Sequence, residues 1–472
     1  MSKYSYLAKN IGLFTLTNFA LKLVTFVLVP VYTYYLTTAQ YGITDMLLTT
    51  VNMIIPLATL SIADSTLRFC FEKSENAVAY ASVGFGVTLL SCGIVALLLP
   101  CLNLNFFGGL GDYKTWFLVC YAAMAFQIYL SNLSRGVGQV ATMAVASIVG
   151  SLANIGLTLL TIVILKWGMF GFFLSLMVGN VIGCLWYLVP GRLYKYIRFS
   201  SNYYKDNLKS MLAYSLPLVP NALSWWMTQN INRFFITGMI GIAASGMFAA
   251  AAKIPGFLKL ATNIFEQAWN LSAFQQFKSK NKEKFFSIIF VFYNAMLVMG
   301  VAVFIPLSAW ISSLMLQKEF YEAWMLIPFL LISFYYNSLS AFYGSIYTSS
   351  MKTKYLFVTT AIGAVVCVIL NYVLLLTCGL VGACLASMIS NAITWLLRVY
   401  DSKKILTVKM SPIIMAVTNL LLISSAIFVT YRIRNWVIYA LATLAAVCVL
   451  QLVELYPSLK LVVRKTRKAL PL

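Results

Sequence analysis

Fourteen runs of about twenty apolar residues, set apart by short polar loops, leave this chain little choice of fold. A helix of about 20 residues crosses the ~30 Å hydrocarbon core of a bilayer, and only helices and closed barrels satisfy their own backbone there. The runs fall at 10–36, 42–65, 77–100, 114–134, 138–165, 168–190, 211–240, 244–271, 285–310, 322–349, 355–377, 380–400, 411–431 and 435–457. Composition agrees, because 61% of residues are hydrophobic and 10% are charged, whereas soluble domains carry about 25% charged residues. The expected fold is an all-α polytopic membrane protein. Its first apolar run is too long for a cleavable signal and is followed by no small-residue cleavage site.

A net charge of +22 in a soluble chain would point to nucleic acid. Its distribution points elsewhere. With fourteen crossings, twenty-five of the 34 Lys and Arg residues lie in loops on the side of the N-terminus. Five lie on the other side: Lys114, Lys166, Lys318, Arg432 and Arg434. Basic loops stay in the cytoplasm, so both termini are expected there, with membrane lipid rather than nucleic acid as the partner of the basic surface.

The remaining four cations, Lys22, Arg233, Lys253 and Lys259, lie inside apolar runs. Each costs about 2.5–3.5 kcal/mol at a helix centre on insertion scales, and such residues by default mark a pathway. Lys22 shares a helix face with Asn18 and Thr25, and Gln229 sits one turn before Arg233. Lys259, Asn263, Glu266 and Asn270 form a stripe at i, i+4, i+7 and i+11, in which Glu266 either neutralises a cation or contacts cargo. Arg68 has Asp64 four residues before it. That spacing fits a salt bridge at the cytoplasmic mouth, and Arg68 could equally meet an anionic headgroup. Three other polar stripes read as glue between helices: Asp45, Thr49 and Asn52; Ser147, Ser151, Asn154 and Thr158; and Ser340, Tyr343 and Tyr347.

Chemistry is excluded more easily than transport. The chain has no histidine, the usual general base and metal ligand near neutral pH. Its nine cysteines contain no CxxC pair and mostly sit in apolar runs, where they read as small buried hydrophobes. No Walker sequence is present, so ATP is not expected to be the direct energy source. Among the acids only Glu266 is well placed within a run, and the outer loops are too short to carry a glycan polymerase or ligase site. The expectation is therefore a transporter without catalytic or metal-binding residues.

The chain also repeats weakly. Runs one and two are joined by a very short turn ending in Tyr41-Gly42, and about 204 residues later runs seven and eight are joined by a turn at Ser245-Gly246. Two parallel-related six-helix lobes fit this pattern: residues 1–191 and 210–400. A basic cytoplasmic linker of 192–209 would lie along the headgroups, and 401–472 would hold two further helices and a basic tail.

The run KNIGLFTLTNFALKLVTFVLVPVYTYYLTTAQYGITD and the stretch NRFFITGMIGIAASGMFAAAAKIP resemble the opening and the seventh and eighth helices of Wzx-type polysaccharide flippases. These belong to the MOP superfamily with the MATE exporters and MurJ-type lipid II flippases. The resemblance implies a V-shaped, fourteen-helix, MATE/MOP-like fold in a bacterial cytoplasmic membrane. It implies export of an undecaprenyl-diphosphate-linked oligosaccharide for O-antigen or another cell-surface polysaccharide, working beside other polysaccharide-assembly membrane proteins. Substrate-binding candidates are then Lys22, Arg233, Lys253, Lys259, Arg68 and Asn18. No cofactor is implied beyond a coupling ion, H+ or Na+. Relatives often place Asp before the helix-seven Arg; here it is Asn232, leaving Arg233 without an adjacent counter-ion. A MATE-like small-molecule antiporter is the alternative. Four cations against one doubtful carboxylate favour anionic cargo.

Overall fold

The computed structural model describes residues 28–72, 74–198, 201–350 and 352–469, and no strand occurs among them. Asn18, Lys22 and most of the first expected run lie outside the described residues; its described part is helical at 28–35 (α1). Ten helices are long and apolar enough to cross a membrane among the described residues. One of the ten spans two expected runs, while runs seven and eight fall on two further helices described below.

The chain divides into two compact units, one ending at Ala249 and the other beginning at Ala250. In the first, α2 (Thr38–Ala58) starts on a capping box. Thr37 Oγ1 accepts from the Gln40 backbone N–H at 3.2 Å, and the Thr37 N–H donates to Gln40 Oε1 at 3.1 Å. These bonds satisfy donors that a helix start leaves unpaired. Pro56 lies just before the end of α2, and α3 (Ile62–Glu72) follows after a break in which Leu60 and Ser61 have positive φ. Expected run two is therefore a broken helix.

Then come α4 (Ala77–Leu98), α5 (Lys114–Gly136), α6 (Val140–Thr158) and α7 (Gly168–Leu188). Ile62, Tyr80, Tyr129, Leu133 and Tyr187 form the core that α3, α4, α5 and α7 share. The expected linker is anchored to this core. Leu193 is buried in this core, and the Arg198 N–H donates to Ser82 Oγ at 2.8 Å. The linker continues as α8 (Ser201–Ser215), pinned by Ser65 Oγ donating to the Met211 carbonyl at 3.0 Å. Pro217 separates α8 from α9 (Leu218–Met239), and α10 (Ile242–Gln276) begins in this unit and runs into the next.

Two expected turns are corrected here. Tyr41-Gly42 and Ser245-Gly246 are helical, in the opening turns of α2 and α10. The cap at Thr37 starts α2 earlier than a glycine reading allows. The chain reverses before α10 at Gly241, whose φ of +129° is open to glycine and strained for other residues.

The second unit contains α11 (Lys282–Met315), α12 (Ile327–Ser349), α13 (Thr353–Ser402), α14 (Pro412–Thr430) and α15 (Trp436–Ala469). Helix α12 is its axis, with Leu331, Tyr335, Leu339, Ile346 and Tyr347 all buried. Helix α13 is broken at Gly379, with φ +57° and ψ −140°. Its halves fold back on each other, since Arg398 Nε reaches Thr359 Oγ1 at 3.1 Å across 39 positions. Helices α14 and α15 turn large apolar side chains outward, including Leu420, Ile438 and Leu452. Inside, a polar chain joins them to α11 and α12: Tyr335 OH donates to Asn294 Oδ1 at 2.9 Å, Asn294 Nδ2 to Gln451 Oε1 at 3.4 Å, and Gln451 Nε2 to Thr418 Oγ1 of α14 at 3.3 Å.

Candidate functional site

In the first unit, one face of α2 presents Gly42, Asp45 and Thr49 at i, i+3 and i+7, and each meets α9 or the start of α10. At Gly42 the backbones nearly touch: a Cβ on Gly246 would lie 2.8 Å from the Gly42 nitrogen. One turn on, Arg233 Nε of α9 donates to Asp45 Oδ2 at 2.5 Å, with side-chain exposures of 14% and 8%. Another turn on, Trp226 Nε1 donates to the Thr49 carbonyl at 3.0 Å. Arg233 Nη1 donates to Asn230 Oδ1 at 2.7 Å, and the Trp226 and Phe234 rings stand 5.4 Å apart.

This geometry corrects the reading of Arg233. The residue has a counter-ion, supplied by α2 rather than by its neighbour Asn232. Its amide partner is Asn230 at i−3, and the glue stripe of α2 holds the carboxylate. The clue available in the sequence was charge balance, since Asp45 and Asp64 are the acids within the second apolar run.

Arg68 differs as well. Its carboxylate partner is Glu72, at 2.7 Å from Nη2, and not Asp64. The pair is half exposed, and the guanidinium carbon stands 5.7 Å from the centre of the Tyr214 ring. Asp64 instead feels the charge of Arg135. A solvated pair of this kind holds its partners weakly, at about 0–1 kcal/mol, so Arg68 remains exchangeable.

On α10, Lys253 and Lys259 are both half-buried. Glu266, two turns after Lys259, lies within its electrostatic reach and accepts from Tyr293 OH at 3.3 Å. The Tyr293 ring stacks on Phe265 at 4.3 Å, and Trp269 stacks on Phe342 at 4.6 Å and donates from Nε1 to Ser345 Oγ at 2.8 Å. Aromatic packing thus fixes one side of α10 and leaves its polar stripe in place.

The remaining stripes act as glue. Thr158 Oγ1 donates to Ser175 Oγ at 3.0 Å and ties α6 to α7. A buried cation went unread: Arg398, counted above among loop residues, is 7% exposed on α13. Its three nitrogens donate to Thr359 Oγ1, the Ser340 carbonyl and Thr360 Oγ1 at 3.1, 2.7 and 2.8 Å.

Helices of this order and length define a multi-pass membrane protein with the fold of the MOP transporters. The structure is similar to that of the lipid II flippase MurJ in its inward closed conformation, with TM-score 0.68 and 15% identity over 93% of this chain and 98% of that one. It is similar to an inward-facing multidrug resistance MATE transporter of the MOP superfamily, with TM-score 0.62 and 16% identity over 82% and 94% of the two chains. A third likeness is to the Vibrio cholerae MATE transporter VcmN, with TM-score 0.57 and 16% identity over 86% and 99%. No curated protein matches the chain in sequence. Residues 7–269 match the family described as polysaccharide biosynthesis protein. The chain belongs to that family.

Proposed function

We propose that this chain is a flippase that carries an undecaprenyl-diphosphate-linked oligosaccharide from the cytoplasmic to the outer leaflet of a bacterial cytoplasmic membrane. It would work by alternating access, with both termini in the cytoplasm. The observation that carries the reading is the charge of α10, which holds Lys253 and Lys259 against the one carboxylate Glu266 along its length. Net positive charge inside an apolar helix suits an anionic cargo. A potential negative inside drives such cargo outward by ~2.3 kcal/mol per charge per 100 mV. In this reading Arg68, with Lys22 and Asn18, receives the diphosphate, and Lys253, Lys259 and Arg233 hold it during passage. Membership of the polysaccharide biosynthesis family and the fold of a lipid II flippase support it.

The test is native mass spectrometry of gently purified protein beside a Lys253→Gln/Lys259→Gln variant. The wild type is expected to carry a polyprenyl-diphosphate species, and the variant to lose at least ten-fold of it. Equal occupancy in both, with transport intact in the variant, refutes the anion-binding roles. The MATE-like fold supports a second reading, an ion-coupled exporter of small molecules. That reading predicts efflux of organic cations that stops on replacing Glu266 with Gln, and no bound polyprenyl lipid.

A further inference from the structure

Arg233 is held by Asp45 through one donor only. A guanidinium offers a planar fork of five N–H groups that pairs best with two oxygens at once. Here Nε meets Asp45 Oδ2, Nη1 is turned onto the neutral amide of Asn230, and Nη2 donates to no acceptor among the described residues. The pair is nevertheless deeply enclosed, with 14% and 8% of the side chains exposed. A buried guanidinium needs acceptors that offset its lost hydration, and here one carboxylate oxygen and one amide oxygen supply them while Nη2 is left for another.

We infer that Asp45 is a resident counter-ion that occupies Arg233 when cargo is absent and gives it up to a phosphate oxygen of the cargo. The inference rests on the proposed transport of a diphosphate-linked lipid and deepens it by naming the group that cargo displaces. Asp45 is then a positioning residue that acts through Arg233. Two features of the same seam give the exchange a consequence. Gly42 against Gly246 and Thr49 against Trp226 flank the pair, one turn to either side on α2. Transfer of Arg233 from Asp45 to cargo removes the central contact of the three and frees α2 to part from α9. Occupancy by the right anion is thereby converted into opening of the seam. Neutral small molecules have nothing to exchange with and leave it shut.

The chemistry recognised is a phosphate or diphosphate ester, and membrane lipid is a competing source of the same chemistry. The experiment uses the full chain in phosphatidylcholine nanodiscs, titrated separately with farnesyl diphosphate, inorganic diphosphate and phosphatidylglycerol. Wild type, Asp45→Asn, Arg233→Gln and the double variant are compared. Exchange predicts that Asp45→Asn binds farnesyl diphosphate about ten-fold more tightly than wild type, because the competitor is gone. Arg233→Gln is expected to bind about ten-fold more weakly, and the double variant to bind no more tightly than Arg233→Gln, since the gain from Asp45→Asn comes through the released Arg233. Unchanged or weaker binding by Asp45→Asn overturns the inference and makes the pair a packing device. Tighter binding of phosphatidylglycerol alone by Asp45→Asn assigns the exchange to lipid headgroups and overturns it for cargo.

Should Asp45→Asn not fold, the unaltered protein still decides the matter by hydrogen exchange. Farnesyl diphosphate is expected to speed exchange in residues 38–50, and slowed or unchanged exchange there overturns the inference. Failure of the wider function reads differently: the wild type then binds no farnesyl diphosphate, and the Lys253→Gln/Lys259→Gln variant behaves as wild type does. Retained Lys253 and Lys259 dependence with an inert Asp45 leaves the flippase reading standing alone.

Discussion

At the scale of single residues, charge inside this fold takes three forms. Arg68 is half exposed, Arg233 is buried against a carboxylate, and Arg398 is buried against neutral oxygens. Arg398 shows most clearly what burial demands. Its planar fork bonds one oxygen on α12 and two on the facing half of α13, which an ammonium cannot do. The partner hydroxyls of Thr359 and Thr360 also donate to carbonyls of their own helix, so they keep a bond if the guanidinium leaves. Arg398→Met should therefore cost about 1 kcal/mol. Arg398→Lys, which leaves a buried charge with fewer acceptors, should cost about 2–3 kcal/mol. Thermal unfolding in detergent measures the order, and a larger loss for Met than for Lys would show that the guanidinium bonds outweigh its desolvation. None of this is visible along the chain. Arg398 stands near the end of an apolar run, where a snorkelling loop cation reads the same.

Among the elements, helix positions were readable and helix meetings were not. Apolar runs of bilayer length located most of the described helices, except that runs eleven and twelve appear as α13 bent at Gly379, run two as α2 and α3, run seven begins in α8 and continues as α9, and α15 runs on to Ala469 through the expected basic tail. Periodicity reports burial of a face but not its partner. The Asp45–Arg233 pair spans 188 positions, and no local pattern announces a contact so distant. The glycines misled for a related reason. Gly42 and Gly246 read as turn residues yet serve close approach of two backbones. A similar approach joins α6 and α7, where a Cβ on Gly150 would stand 2.8 Å from the Gly179 carbonyl oxygen, and one on Gly179 would stand 2.9 Å from that of Gly150. Small residues let membrane helices approach at such crossings. Gly150→Leu should push α6 from α7, strain the Thr158–Ser175 bond and cost about 1–3 kcal/mol by overpacking. Gly156→Leu, with open space around its Cβ position, should leave the thermal midpoint within a degree or two. Leucine is the better helix former, so an equal loss for both would mean that a large side chain is unfavourable on either face of α6 and that the crossing does not set the cost.

For the whole molecule the strongest sequence signal is the charge asymmetry, and its consequence is an orientation that the chain's own cysteines can report. Cys101, in the turns after α4, and Cys378, beside the break in α13, are exposed, while Cys70, Cys120, Cys367 and Cys384 are buried and Cys92, Cys184 and Cys448 are partly covered. If the basic loops lie inside, both exposed thiols would face the exterior. A membrane-impermeant maleimide added to intact cells should label Cys101 and Cys378, and a Cys101→Ser/Cys378→Ser variant should lose nearly all of that label. Placing a cysteine at Lys280, in the basic loop between α10 and α11, should give label only after permeabilisation. Because the two exposed thiols sit in different units, the pattern also tests the number of crossings between them. From the loop after α4 to the bend in α13 the reading requires eight helices, an even count that keeps both thiols on one face. Label at Cys101 without label at Cys378 would mean an odd number between them, so that one of these eight does not cross. Label at Lys280→Cys in intact cells, with neither native thiol reacting, would turn the whole chain over. The diphosphate would then have to be received from the opposite leaflet.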